Sequence, residues 1–137
     1  MRVFIDSSSL AKRYLKETGS GRVDEILSLS DEIIVCSIAF PEVLCALNRA
    51  LRNALLSHEE YEESKEFLKE DFLDMTIVPV DIDIALKTEP VLESSVIRAM
   101  DSLHVTSAVE SEVDLFLSSD PRQLEAAGIA GLKVERV

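Results

Sequence analysis

Cysteine, histidine, long apolar runs and basic residues are all scarce in this sequence, and each shortage removes a class of protein. Two cysteines and two histidines, with no CxxC pair, leave no set at zinc-ligand spacing. Cys36 falls in an apolar strand pattern and Cys45 in a helical one, so both are expected as buried thiols in a reducing cytoplasm. No apolar stretch approaches the roughly 20 residues that span a bilayer, and no membrane is expected as a partner. The first residues read as a strand that meets an acid at position 6, not as a cleavable signal. Repeats, linkers and low-complexity segments are also missing, so residues 1–137 are read as a single domain. With 14 bases against 26 acids the net charge is −12, which argues against holding nucleic acid by phosphate neutralisation alone. The imbalance is uneven. Residues 57–74 carry eight acids and two bases, whereas residues 10–22 carry four bases and one acid.

Against these shortages stands a regular alternation of element types. Strand-like runs lie at 2–5, 32–37, 75–80, 113–118 and 132–137. Helical patterns separate them, with "GSG" at 19–21 as a break. Residues 40–53 place Val43, Leu44, Leu47, Ala50 and Leu51 on one face, with Pro41 tolerated in the first turn. Ser57 and Glu60 form a capping-box pattern ahead of a helix to 74, with Tyr61, Leu68 and Phe72 on one stripe. A weaker helix over 81–93 is expected to bend or end at Pro90. Residues 95–111 read as a strong helix, and 121–128 as a short one started by Pro121 and capped by Gly128. Nearly continuous apolar strands alternating with helices imply an α/β fold, a parallel sheet of four to five strands covered on both faces.

Two strands end in aspartate. "VFID" ends at Asp6, and "LFLSSD" ends at Asp120, immediately before a proline. In parallel sheets binding sites gather outside the carboxyl ends of the strands; either Asp also reads simply as a helix N-cap. Glu42 is the only acid in "AFPEVLCAL", and Asp101 stands alone among Met100, Leu103, Val105 and Ala108. Aspartate is poor in a helix interior, so Asp101 asks for a reason; a place on the solvent face is the plainer one. If the four acids converge, their charges repel by roughly 4 kcal/mol per pair at about 4 Å and an effective dielectric of about 20, so protons or a cation have to intervene. An all-oxygen ligand set favours Mg²⁺ or Mn²⁺, and a sparsely held Mg²⁺ points to phosphoryl chemistry.

The segments "FIDSSSLAKRYLKETGSGRV", Glu42 in the third helix, "IRAMDSLHVTSAV" and "FLSSDPRQLEAAGIAGLKV" together resemble the PIN domain, in particular VapC-type toxins of toxin–antitoxin pairs. The resemblance runs over nearly the whole chain in order and spacing. It implies a metal-dependent endoribonuclease in which Asp6 and Asp101 are the principal metal ligands and Asp120 holds a second metal or a metal-bound water. Glu42 would complete the acidic cluster, Ser8 would support Asp6, and Ser118 would orient the site where the family more often has Thr. It further implies a cognate antitoxin protein and a homodimer, and the unpaired cysteines point to the cytoplasm. Lys12, Arg13, Lys16 and Arg49 are the candidate RNA contacts, with plain helix surface as the alternative. His104 is expected to be a packing histidine with a satisfied ring, and Tyr61, Phe67, Leu68 and Phe72 to serve dimer or antitoxin contacts. Two other readings stay open: a PIN-fold protein-binding module with little nuclease activity, and a PIN nuclease of RNA processing. A dehalogenase-type phosphatase needs a second Asp where Ser8 stands, and "MTIVPVD" matches a receiver domain poorly.

Overall fold

Branched and aromatic residues in short runs form strands buried on both faces, and five such runs make one sheet here. In the computed structural model, which describes residues 1–137, the strands are β1 (Arg2–Ile5), β2 (Glu32–Cys36), β3 (Thr76–Val78), β4 (Leu115–Ser118) and β5 (Val134–Arg136). They run parallel in the order β3-β2-β1-β4-β5. The first strand of the chain is therefore central, with Val3 paired to Ile33 on one side and Leu115 on the other. The helices are α1 (Ser7–Leu10), α2 (Ser20–Ser28), α3 (Ala39–Arg52), α4 (His58–Asp74), α5 (Ile82–Lys87), α6 (Glu89–Ser94), α7 (Ala99–Glu110) and α8 (Pro121–Ile129), with a 3-10 turn at Ala11–Arg13.

Alternation along the strands divides the core in two. Val3, Ile5, Val35 and Leu117 pack on one face against Leu10, Val23, Val43, Leu47 and Leu68 of α1 to α4. Phe4, Ile34, Cys36 and Phe116 pack on the other against Val91, Val105, Ala108 and Ala127 of α6 to α8. The rings of Phe4 and Phe116 stack at 5.6 Å, and His104 meets Phe4 edge-on at 6.3 Å. The expected α/β sandwich with helices on both faces is the fold observed.

Several boundaries differ from the sequence reading. The helix expected from residue 95 begins at Ala99, because Ser95 is extended and Arg98 takes the cap position. The helix expected over 81–93 is interrupted just ahead of Pro90: α5 ends at Lys87, and Pro90 sits in the first turn of α6, where its missing N–H costs nothing. Gly128 lies inside α8, which Ala130 caps, and the left-handed residue after it is Gly131. The break at "GSG" is centred on Gly19, whose φ is 95° and where a Cβ would lie only 2.9 Å from the backbone of Val137, so no side chain fits. Cys36 is buried as expected, but Cys45 is exposed, on the outer side of α3. The capping box of α4 forms as read, Ser57 accepting from Glu60 N–H and Glu60 from Ser57 N–H.

The aromatic residues of α4 are used within the chain. Leu68 is its one fully buried side chain, Phe72 packs edge-on against Phe40 at 5.3 Å, and Phe67 against Tyr14 at 5.5 Å. Arg13 fixes the same helix: its Nε donates to Asp71 Oδ2 at 2.8 Å and its guanidinium lies over the Phe67 ring.

Candidate active site

Chain leaving the carboxyl ends of β1 and β4 turns at once into α1 and α8, and the residues at those turns are Asp6 and Asp120. Both are N-caps: Asp6 Oδ1 accepts from Ser9 N–H at 3.0 Å, and Asp120 Oδ1 from Arg122 N–H at 2.8 Å. The capping explanation for the two strand-end acids is correct, and it leaves their second oxygens to other work. Asp6 is completely buried, and its Oδ2 accepts from Ser8 Oγ at 2.6 Å and Ser118 Oγ at 2.9 Å. Ser118 Oγ in turn accepts from Asp120 N–H at 3.0 Å, and Ser8 Oγ from Ser119 N–H at 3.3 Å. The serines after Asp6 thus stitch the first strand to the fourth and aim the carboxylate. Burial pushes the Asp6 carboxyl above the usual carboxylate range, against the opposing pull of Ser8, His104, Ser9 and Ser118.

Glu42 and Asp101 come from the two helical layers. Asp101 is not mid-helix as the sequence reading had it; it lies in the first turn of α7, and Glu42 in the first turn of α3. All four acids therefore stand at helix N-termini, whose partial positive charge favours carboxylates and moderates their mutual repulsion. Asp101 Oδ2 accepts from Arg98 Nε at 2.8 Å, and Oδ1 from the buried Gln123 Nε2 at 3.1 Å. Glu42 Oε1 lies 2.7 Å from His104 Nε2. His104 is buried, and its Nδ1 has no hydrogen-bond partner. A carboxylate can only accept, so Nε2–H is the donor in this contact. The expected satisfied packing histidine is half right: it packs, but it also reaches the acidic cluster.

Glu42, Asp101 and Asp120 line one open cleft of about 420 Å³ with Arg49, Arg98 and Gln123; Ser7 and Ser8 line it too, and the Ser8 hydroxyl donates to the buried Asp6. No three acidic, histidine or cysteine side chains are grouped so as to hold a metal ion as they stand. The donors nevertheless suit a hard divalent cation in kind. The acids that line the cleft offer only oxygen, and the deeply buried Asp6 is held by neutral hydrogen bonds with no cation among them. The positive charge at Asp101 is supplied from within, by Arg98.

The four basic residues expected to meet RNA separate. Arg49 is exposed on the cleft wall. Arg13 is held by Asp71 and Asp24, and Lys12 Nζ donates to the carbonyls of Thr18 at 2.7 Å and Val137 at 3.0 Å. Lys16 is exposed and borders a neighbouring groove with Tyr14, Glu60 and Glu63. Arg98 and Gln123, which the sequence reading did not single out, are in the cleft. The one available signal was the spacing of Arg98 three residues before Asp101.

Comparison with known proteins adds the family. Residues 3–129 match the PIN domain model. Ribonuclease VapC45 of Mycobacterium tuberculosis is 28% identical over 109 residues, spanning 78% of this chain and 74% of the relative. Among solved structures, M. tuberculosis VapC20, a sarcin-ricin loop cleaving toxin, superposes with a TM-score of 0.70 at 14% identity over 92% of this chain and 95% of that one. The VapBC2 complex of Rickettsia felis, bound to a DNA fragment from its promoter, gives 0.69 at 12% identity over 100% and 99%. With a central parallel sheet, acids at its carboxyl edge and a family match over nearly its full length, this chain belongs to the PIN domain family.

Proposed function

We propose that this protein is a metal-dependent endoribonuclease that hydrolyses RNA phosphodiester bonds, and that it is the toxin of a toxin–antitoxin pair. One observation carries the reading: Glu42, Asp101 and Asp120, distant in sequence, line a single cleft together with Ser8, whose hydroxyl donates to the buried Asp6. Asp6, Asp101 and Asp120 would hold Mg²⁺ or Mn²⁺, with Glu42 completing the set. Bound there, the cation would supply Lewis acidity, activating water and offsetting charge on the phosphate in flight.

The chain's own residues do the rest. Ser8 and Ser118 fix the direction of the Asp6 carboxylate, and Gln123 that of Asp101. His104 holds Glu42 at the cleft, where its carboxylate would aid the activation of water. Arg49 and Arg98 give an otherwise acidic wall the positive charge that a phosphate contact requires. Relatives that bear ribonuclease names and structural neighbours solved as toxin–antitoxin complexes support the activity and the antitoxin partner. A net charge of −12 suits a partner with a basic segment. Exposed apolar residues such as Leu73, Ile82 and Leu86 suit assembly as a homodimer, and the cytoplasm is the compartment where RNA would be met.

The test pairs divalent-metal calorimetry with cleavage of RNA, on the natural protein and on the double variant Asp6→Asn, Asp101→Asn. Loss of both metal binding and cleavage in a folded variant is the expected result. A natural protein that is free of any partner, folded, and takes up no divalent ion would overturn the nuclease and leave a protein-binding module.

A further inference from the structure

Arg98 stands where no ordinary cap would. The position ahead of α7 carries no side-chain cap for the helix; the Arg98 side chain turns back and donates Nε–H to Asp101 Oδ2 at 2.8 Å. Asp120 and Glu42 also face it with negative charge, and all four residues border the same cleft. The contact is a single hydrogen bond from a side chain that is 74% exposed, whereas Asp101 is 8% exposed and keeps a second, buried bond from Gln123 on its other oxygen.

A divalent ion bound by Asp101 Oδ2 would sit at roughly 2.0–2.1 Å from that oxygen for Mg²⁺. A guanidinium still donating to that oxygen would set two positive charges against each other across one atom. An exposed, singly bonded ion pair is weak and opens readily. The Gln123 bond would hold the carboxylate in place through the exchange. We propose that Arg98 is an internal counter-ion of the acidic site: it occupies Asp101 when no metal is bound, must release it when one enters, and so sets the metal concentration at which the site loads. The proposal deepens the metal-dependent reading given above and rests on it.

The test is Mn²⁺ titrated calorimetrically into the full chain without RNA, for the natural protein and for Arg98→Gln, Arg98→Lys and Arg49→Gln. Arg98→Gln should bind Mn²⁺ roughly fivefold more tightly than the natural protein, the scale of one solvent-exposed ion pair. Arg98→Lys keeps the charge and should stay near the natural affinity. Arg49→Gln removes a charge from the same wall but no bond to Asp101, and should gain less. Unchanged or weaker binding by Arg98→Gln, or an equal gain in Arg49→Gln, would overturn the counter-ion role and leave the nuclease reading standing. No uptake of Mn²⁺ by any of the four proteins would overturn the metal site itself, and the counter-ion with it.

Discussion

Replacing Arg13 separates two roles for a basic residue that lies close in sequence to Asp6. Its guanidinium meets Asp71 through two bonds, Nε–Oδ2 at 2.8 Å and Nη2–Oδ1 at 3.2 Å, and Tyr14 Oη donates to Asp71 Oδ2 at 2.6 Å. The side chains of Arg13 and Asp71 are 18% and 14% exposed, so the pair lies well below the surface class. Arg13→Gln leaves Asp71 with only the tyrosine hydroxyl. Charge-assisted hydrogen bonds contribute about 1.5–3 kcal/mol, and breaking a fully buried pair costs about 3–5 kcal/mol. The partial exposure puts this one at about 2.5 kcal/mol. The contact between Arg13 and Asp24, which is 59% exposed, adds little. At about 4 °C per kcal/mol for a chain of this size, the melting temperature should fall by about 10 °C. Circular dichroism melts give the value, and a cycle with Asp71→Asn isolates the coupling. RNA affinity, measured well below the lowered melting point, should be unchanged. A variant of natural stability that bound RNA less well would refute the structural assignment and restore Arg13 as a substrate contact.

Three further outcomes follow from the same geometry. Because burial raises the Asp6 carboxyl in the native state, its contribution to stability is full below the unfolded group's titration and is lost as pH rises through the native one. In chelator-treated protein Asp6→Asn should therefore melt higher than the natural chain at neutral pH; a lower melting point there refutes the buried-charge argument. His104→Leu strips Glu42 of its donor and should cost about 10- to 100-fold in cleavage rate, with His104→Gln recovering part of it; equal rates for the two variants would show that only packing matters at that position. A thiol reagent should modify Cys45 in the native protein and reach Cys36, whose thiol is buried and raised, only after unfolding; fast reaction of both would contradict the core assignment.

The sheet was legible because strands buried on both faces must be apolar throughout, and helices interrupt them at regular intervals. The acids at the ends of β1 and β4 were legible for the same reason: a carboxylate that abuts such a run is conspicuous. Less was readable where a boundary depends on backbone alone. Residues 95–98 have no breaker to mark them, yet they are extended, and so Asp101 was placed in a helix interior instead of its first turn. The role of Arg98 was hidden by that same shift. Cys45 is different. It sits two residues from both Val43 and Leu47, about 200° round the helix from each, so its exposure was available from the period. Arg13 was not: its partner Asp71 lies 58 positions away, and no local pattern announces a pairing of that range.

The central place of β1 also bears on when the site comes into being as the chain is made. Ser118, which orients Asp6, is 112 positions downstream, and Asp120 follows it. At about 5–20 residues per second, roughly 6 to 20 seconds of translation separate the first acid from the groups that aim it. Until then β1 lacks one of its two neighbours, and Asp6, Glu42 and Asp101 have no Asp120 to join. A ribosome carrying a half-made chain therefore carries no cleft, and a product truncated anywhere before Asp120 has none either.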